Sequence, residues 1–357
     1  MADISVTQAR GIFTQSLVAI YKERKKPTNF LRSFFTTKES NSKYVSIEVQ
    51  RGTDKIAVDV LRGTGGNRNQ FARSTEKIFQ PPLYSEYFDA TELEFYDNLM
   101  NSSADSLVSA AEFRNWLDSV SEKIALLQDK IERSYERQCA EVFTTGIVTI
   151  NAGTDIDYKR KAASKVTLAT TARWSQATST PIDDLKTGIK FLRTTGKAGG
   201  GVFNVIAGDA AMGYLTTHAD FIEKADLRNG DGTTLMTPQA NADAFLIGRI
   251  TVGSYVCNLW SYPETYDLDG TDTPYIADND VVILPTTPKF VLSFAGIPQL
   301  VKLPKGNPMQ RAFKNKKGAY LVGEYIDEMA TVHKFDIKSA GIAIPVGVDQ
   351  IYTLTVA

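Results

Sequence analysis

Between residues 109 and 145 the apolar positions return at the spacing of one helical face. Phe113, Leu117, Val120, Ile124, Leu127, Ile131, Tyr135 and Val142 form the stripe, while Glu122, Lys123, Asp129, Lys130, Glu132 and Arg133 fill other positions. No proline or glycine interrupts the run before Gly146. The pattern predicts one helix over about 107–145; at about 1.5 Å per residue, roughly 35 residues of it would reach about 50 Å. Ordinary helices stop at about 11 or 12 residues. An element this long spans a domain from edge to edge; a coiled coil would need longer heptad runs with charges framing the seam.

Ahead of this helix the periodicity is different. Ile12, Leu17, Ile20 and Tyr21 suit a short amphipathic helix that ends in the basic run Lys22 to Lys26 and at Pro27, so residues 1–40 read as an arm. The basic run suits a solvated helix end or an anchor for an acidic partner or DNA phosphate. From Tyr44 the period is two: Val45, Ile47 and Val49 alternate with polar residues, as do Ile56, Val58 and Val60 after a turn at Arg51 to Asp54. Pro81-Pro82 ends strand pairing. With no helical period and few bulky residues between Tyr44 and Gln80, the segment predicts a long β-ribbon held away from the body.

Behind the helix, helices and strands alternate. "TPIDDLKTGIKFLRTTG" predicts a helix with Asp183 and Asp184 in its first turn, "VFNVIAG" a strand, and "DAAMGYLTTHADFIEKADLR" one helix. "RITVGSYVCNLW" and "DVVILP" read as strands, with turn-rich "PETYDLDGTDTPY" between them. The stretch "GAYLVGEYIDEMATVHKFDIKSAGIAIPVG" alternates like long strands.

Composition narrows the function. The chain of 357 residues is 43 % apolar and 23 % charged, which is ordinary for a folded protein. Forty Lys and Arg against 41 Asp and Glu give a net charge of −1, without the basic footprint of a nucleic-acid binder but permissive for self-association. The start "MADISVTQAR" does not read as a signal peptide, and no apolar run reaches the roughly 18 residues of a membrane span. Cys139 and Cys257 are expected as reduced, buried, small hydrophobes.

Candidate chemistry fails on spacing. The arginine-rich cluster Gly63, Gly65 and Gly66 lacks the Lys-Ser/Thr and following helix of a phosphate loop, and lacks the third glycine of a dinucleotide fingerprint. "TTGKAGGGVFNV" precedes a strand and reads as a helix-to-strand connection. His218 and His333 are expected at the surface or half-buried. Asp267, Asp269 and Asp272 lack the terminal glutamate of a calcium loop. No nucleophile elbow, zinc-binding helix or paired C-x-x-C is present. The expectation is a protein without catalytic residues, cofactor or metal.

The succession of arm, ribbon, long helix, α/β region and return strands resembles tailed-bacteriophage major capsid proteins of the Hong Kong 97 fold. "FLRSFFTTKESNSKYVSIEV" followed by "VLRGTGGNRNQF" is similar to the lambda-type capsid protein E family, as are "RWSQATSTPIDDLKTGIKFL", "GDAAMGYLTTHADFIEKADLRNG" and "EMATVHKFDIKSAGIAIPVGVDQIYTLTVA". The resemblance implies an α+β fold with an N-arm (1–40), an extended loop (41–90), a peripheral domain (91–175) holding the spine helix, an axial domain (176–315), peripheral return strands (316–345) and a C-terminal strand (346–357). The extended loop would then lie on the neighbouring subunit. Gly63, Gly65 and Gly66 would shape its tip, and Arg51, Lys55, Arg62, Arg68, Arg73 and Lys77 would meet acidic groups there; without a neighbour it is a surface hairpin with solvated arginines.

The implied function is a virion protein forming hexamers and pentamers around double-stranded DNA contacted non-specifically, assembled in the bacterial cytoplasm and expanding on packaging. Its partners would be copies of itself, a separate scaffold, a portal and, in some shells, a decoration protein. A nanocompartment shell enclosing protein cargo, a tail or baseplate protein, and an enzyme are the alternatives.

Overall fold

The computed structural model describes residues 26–49, 75–91, 110–150, 153–225, 234–241, 244–302, 311–327 and 332–357, some strand and helix residues by their backbone alone. The expected short helix over residues 12–21 and the ribbon between its two described strands lie outside them. The long helix, α1, runs from Ala110 to Thr144, 35 residues without a break.

Along its length α1 changes character. Val120 and Ile124 rest on a three-stranded antiparallel sheet in the order Leu321–Asp327, Val332–Ser339, Tyr84–Thr91, whose Phe88 and Phe335 rings stack at 5.4 Å. From Ile131 onward the helix sinks into the body: Ile131, Tyr135, Cys139, Ala140, Val142 and Phe143 all belong to the main core, while Arg133, Ser134, Arg137 and Glu141 stay partly exposed. One apolar stripe has become an apolar surface on most sides, which fits burial of that half.

A seven-stranded mixed sheet separates the main core from a second one. Its order is Lys165–Thr167, Tyr352–Thr355, Asp280–Pro285, Val202–Ala207, Tyr255–Ser261, Ala244–Val252, Thr234–Asn241. Phe203, Val205, Val281, Ile283, Tyr352 and Leu354 point into the second core, with helices α2 (Pro181–Thr194) and α3 (Asp209–Thr217). Ile206, Val282, Leu284 and Ile351 point the other way, into the core of α1. Burial on both faces explains why "DVVILP" is an apolar run without polar alternation. A smaller sheet, Thr36–Glu39 beside Phe290–Phe294 beside Gly341–Pro345, closes the main core.

Several elements depart from the sequence pattern. The single helix expected over residues 209–228 is two, α3 and α4 (Ala219–Ala225), broken at His218 in extended backbone. His218 Nδ1 accepts the Asp220 N–H at 3.3 Å, so the imidazole caps α4. The hydroxyls of Thr216 and Thr217 meanwhile fold back onto carbonyls of α3. "PETYDLDGTDTPY" holds a tight hairpin, Thr265–Leu268 with Thr271–Pro274, turning through Asp269 and Gly270, both at positive φ. Val45–Val49 pairs antiparallel with Thr75–Phe79 as the base of the ribbon. Tyr84–Thr91, counted with the ribbon in the sequence, crosses to the three-stranded sheet instead. Residues 28–35, counted with the arm, carry Phe30, Leu31 and Phe35 into the main core.

The end of α1 is secured from a distance. Its last turn contains no basic residue. Arg160 reaches back instead, donating from Nη1 to the Phe143 and Thr144 carbonyls and from Nη2 to the Ser164 and Ile351 carbonyls and the Thr353 hydroxyl. Burial lowers this guanidinium to about 10, and it answers the negative end of the helix dipole. Gly146 reverses the chain at φ +74, its N–H returning to the Glu141 carbonyl at 2.9 Å, and a Cβ there would come within 2.4 Å of the Arg160 side chain. Gly146→Ala is therefore expected to lower stability by at least about 1–2 kcal/mol from the left-handed backbone alone. Urea titration followed by tryptophan fluorescence checks it; an unchanged midpoint would show that this turn is not needed.

Candidate functional site

One cluster looks catalytic at first sight. Ser179 Oγ lies 3.3 Å from His218 Nε2, and Asp220 Oδ2 lies 3.8 Å from His218 Nδ1. The protons run the wrong way for a nucleophile. Nδ1 accepts the Asp220 N–H, so the ring proton sits on Nε2 and is donated to Ser179, whose own hydroxyl donates to the Gln176 carbonyl at 2.7 Å. A serine nucleophile needs an imidazole lone pair facing it. The cluster is a staple between a turn and the α3–α4 junction. His218 is buried, where the sequence suggested a surface or half-buried position; the His333 side chain lies outside the described residues. Among the described residues no group of three His, Cys, Asp or Glu side chains is placed to hold a metal. No described helix is long and apolar enough to cross a membrane.

A groove forms where the ribbon meets α1. After Phe79 the chain crosses Pro81-Pro82 and enters the three-stranded sheet at Tyr84. This crossing, the α1 residues Arg137, Gln138 and Glu141, and the hairpin Ile147–Val148 with Ile156–Asp157 enclose about 760 Å³. The floor is polar and already partnered. Arg137 Nε donates to Glu141 Oε1 at 3.0 Å, and Glu141 Oε2 accepts the Thr149 N–H at 2.9 Å. Gln138 donates to the Tyr84 hydroxyl at 2.8 Å and accepts the Ala343 N–H at 3.2 Å. The rim differs: Ile78 is 63 % exposed and Leu83 51 %. Satisfied polar groups below and bare aliphatic side chains above suit contact with another protein surface.

The family model for phage major capsid protein E matches residues 13–345. The chain belongs to that family. Among solved structures, one described as a prophage capsid protein of E. coli CFT073 is similar over 100 % of both chains, at 14 % identity and a TM-score of 0.61. The mature capsid of bacteriophage PhiM1 covers 94 % of this chain and 89 % of its own at 11 % identity and a TM-score of 0.49. The SrpI encapsulin of Synechococcus elongatus PCC 7942 covers 99 % and 96 % at 12 % and 0.46. No curated protein sequence matches the chain. The fold is the α+β, Hong Kong 97-like fold of phage capsid proteins, and the protein is a shell-forming component of the virion.

In this capsid protein, Arg51, Lys55, Arg62, Gly63, Gly65, Gly66, Arg68 and Arg73 lie outside the described residues. Lys77 stands opposite Ile47 in the ribbon base, its side chain outside the described residues. On α1, the side chains of Phe113 and Leu117 are likewise outside them. Val120, Ile131 and Tyr135 are buried, and Ile124 and Leu127 pack half-buried against the cores. Sequence reasoning passed over Glu136, Gln138 and Arg160, which hold α1 in place. A signal existed for the first two: Cys139, Ala140, Val142 and Phe143 make the last turns apolar on most sides, so polar residues one turn earlier face burial.

Both thiols are buried and free, as the sequence suggested. Burial raises Cys257 to about 12 and Cys139 well above the ordinary range, with the Glu136 charge adding to the latter. Nucleophilic thiols need the opposite surroundings. Native capsid protein should leave both unlabelled by a disulfide reagent at pH 8, with two equivalents reacting once urea unfolds it; fast native labelling would contradict the burial described.

Proposed function

We propose that this capsid protein assembles into hexamers and pentamers that close the icosahedral head of a tailed phage around double-stranded DNA, with the ribbon and its basal groove as a joint between neighbours. The carrying observation is the ribbon base. Among the described residues, Val45–Val49 and Thr75–Phe79 pair only with each other, beside the exposed Ile78 and Leu83. A two-stranded ribbon is marginal on its own, and a neighbour covering it supplies the missing burial. Arg51, Lys55, Arg62, Arg68, Arg73 and Lys77 then set register against acidic groups of that neighbour, with Gly63, Gly65 and Gly66 shaping the tip.

In this reading α1 with the three-stranded sheet forms the peripheral domain, and the seven-stranded sheet with α2 and α3 the axial one. A separate scaffold and a portal take part in assembly in the bacterial cytoplasm, and a decoration protein is a further candidate partner. Expansion on packaging is a rigid-body rearrangement between two packings of the same subunit. DNA contact is non-specific, consistent with the net charge of −1.

Negative-stain electron microscopy with light scattering, on the purified protein alone and with its scaffold, tests the reading. Wild type should give hexamers, curved sheets or closed shells. Deletion of Gly63 to Asn69, and separately Leu83→Asp, should block them while circular dichroism stays that of the folded subunit. A monodisperse 39.3 kDa species under all conditions would overturn the proposal. Shells from infected cells that hold protein in place of DNA would overturn its DNA-enclosing part.

A further inference from the structure

Residues 28–35 cross the enclosed half of α1 as a strap. Phe30 packs against Trp260 and Tyr262 at 5.2 and 5.4 Å, and Phe35 against Phe143 and Phe290 at 5.4 and 5.3 Å. Beneath it lies Glu136, whose side chain has no exposed surface. Glu136 Oε1 accepts the Leu31 N–H at 2.7 Å and the Tyr262 hydroxyl at 3.0 Å; Oε2 accepts the Arg32 N–H at 3.2 Å, with Arg32 Nε at 3.8 Å. Tyr262 in turn meets Thr28 Oγ1 at 2.6 Å. One carboxyl thus joins pieces of chain 105 and 126 residues away from it. Two of its strap contacts are backbone N–H groups, so they are independent of which side chains the strap carries.

We infer that Glu136 is a latch: its protonation state sets how firmly the strap is held on α1, and its ionisation favours release of the strap. Closing the strap strips water from the carboxyl, at a cost that falls mainly on the charged form. The phenol, the two N–H groups and Arg32 return part of that cost. Arg32 is shared, since its Nη2 also lies 3.5 Å from Glu132 Oε2. Among the described residues, the other titratable or charged groups around the joint are Arg133 and Cys139 on α1, Tyr275 beside Tyr262, and Tyr320 against Glu132. Burial pushes the three phenols and the thiol above their ordinary ranges, so they keep their protons near neutrality. The same burial holds the Glu136 carboxyl up at about 7, against an ordinary 4.5.

The direction follows from linkage. A group that binds its proton more tightly with the strap closed favours closure while protonated. Closure is strongest below about pH 4.5, weakens as pH rises to about 7, and is level above. The closing equilibrium should change by on the order of a hundredfold across that window. The effect belongs to the single subunit and does not depend on shell assembly.

Hydrogen exchange of the full chain between pH 5 and 8, expressed as protection factors, tests it. Protection of the Leu31 to Phe35 amides should fall at least tenfold as pH rises, while α2 amides around Leu185 and Ile189 stay level. Glu136→Gln should abolish the slope. Tyr262→Phe, which removes a donor to the ionised form, should move the slope to higher pH and decides the matter if Glu136→Gln does not fold. A flat wild-type profile, an unaltered slope in Glu136→Gln, or an unmoved slope in Tyr262→Phe would overturn the latch.

Discussion

The structure depends on the enclosure of one end of a helix. A helix of 35 residues with a single apolar stripe can lie on a sheet, as Val120 and Ile124 do on Phe88 and Phe335. Its second half is buried on more than one side, so the polar groups that face inward there must find a protein partner. Glu136 is met by the strap, Gln138 by Tyr84 and the Ala343 N–H, and the terminal carbonyls by Arg160. Those partners come from near the start, the middle and the end of the described chain. Satisfying one buried helix end therefore fixes where distant segments must run.

The seven-stranded sheet extends the same logic to the remaining body. Tyr352–Thr355, close to the C-terminus, sits between Lys165–Thr167 and Asp280–Pro285, not at an edge. The chain alternates between two cores here, with Ile351, just before the strand, in one and Tyr352 and Leu354 in the other. Neither core is complete until this strand is in place. The sheet is thus a wall joining two hydrophobic bodies, and its stability rests on contacts of high sequence separation, the slow kind to form.

Local physics was legible in the sequence. The period of α1, the Pro181 start and acidic first turn of α2, and the apolar strands of the seven-stranded sheet all follow from neighbours within a few residues. Pairing partners were not legible. Tyr84–Thr91 alternates in a way that fits a ribbon or a sheet equally, and only its register with Val332–Ser339 decides. The break at His218 depends on a side-chain cap inside a run that looks helical throughout. The turn at Asp269-Gly270 was legible in a turn-rich, acidic stretch; the two four-residue strands that flank it were too short to show an alternation. At the candidate site, spacing marked Val45–Val49 and α1; it did not mark the partner strand Thr75–Phe79, nor the groove, whose walls come from three separate segments.

The strap and the groove share the same turns of α1. Glu136 holds the strap, while Arg137, Gln138 and Glu141 form the groove floor, and Gln138 also reaches the Gly341–Pro345 strand through the Ala343 N–H. Consecutive residues on a helix point about 100° apart, so one turn presents these faces to different neighbours without slack between them. Linkage makes the consequence reciprocal: a partner that fits the groove better with the strap closed must tighten the strap, and one that fits better with it open must loosen it. The buried carboxyl and the groove floor thus stand on adjacent residues of one helix and rest on the same few contacts.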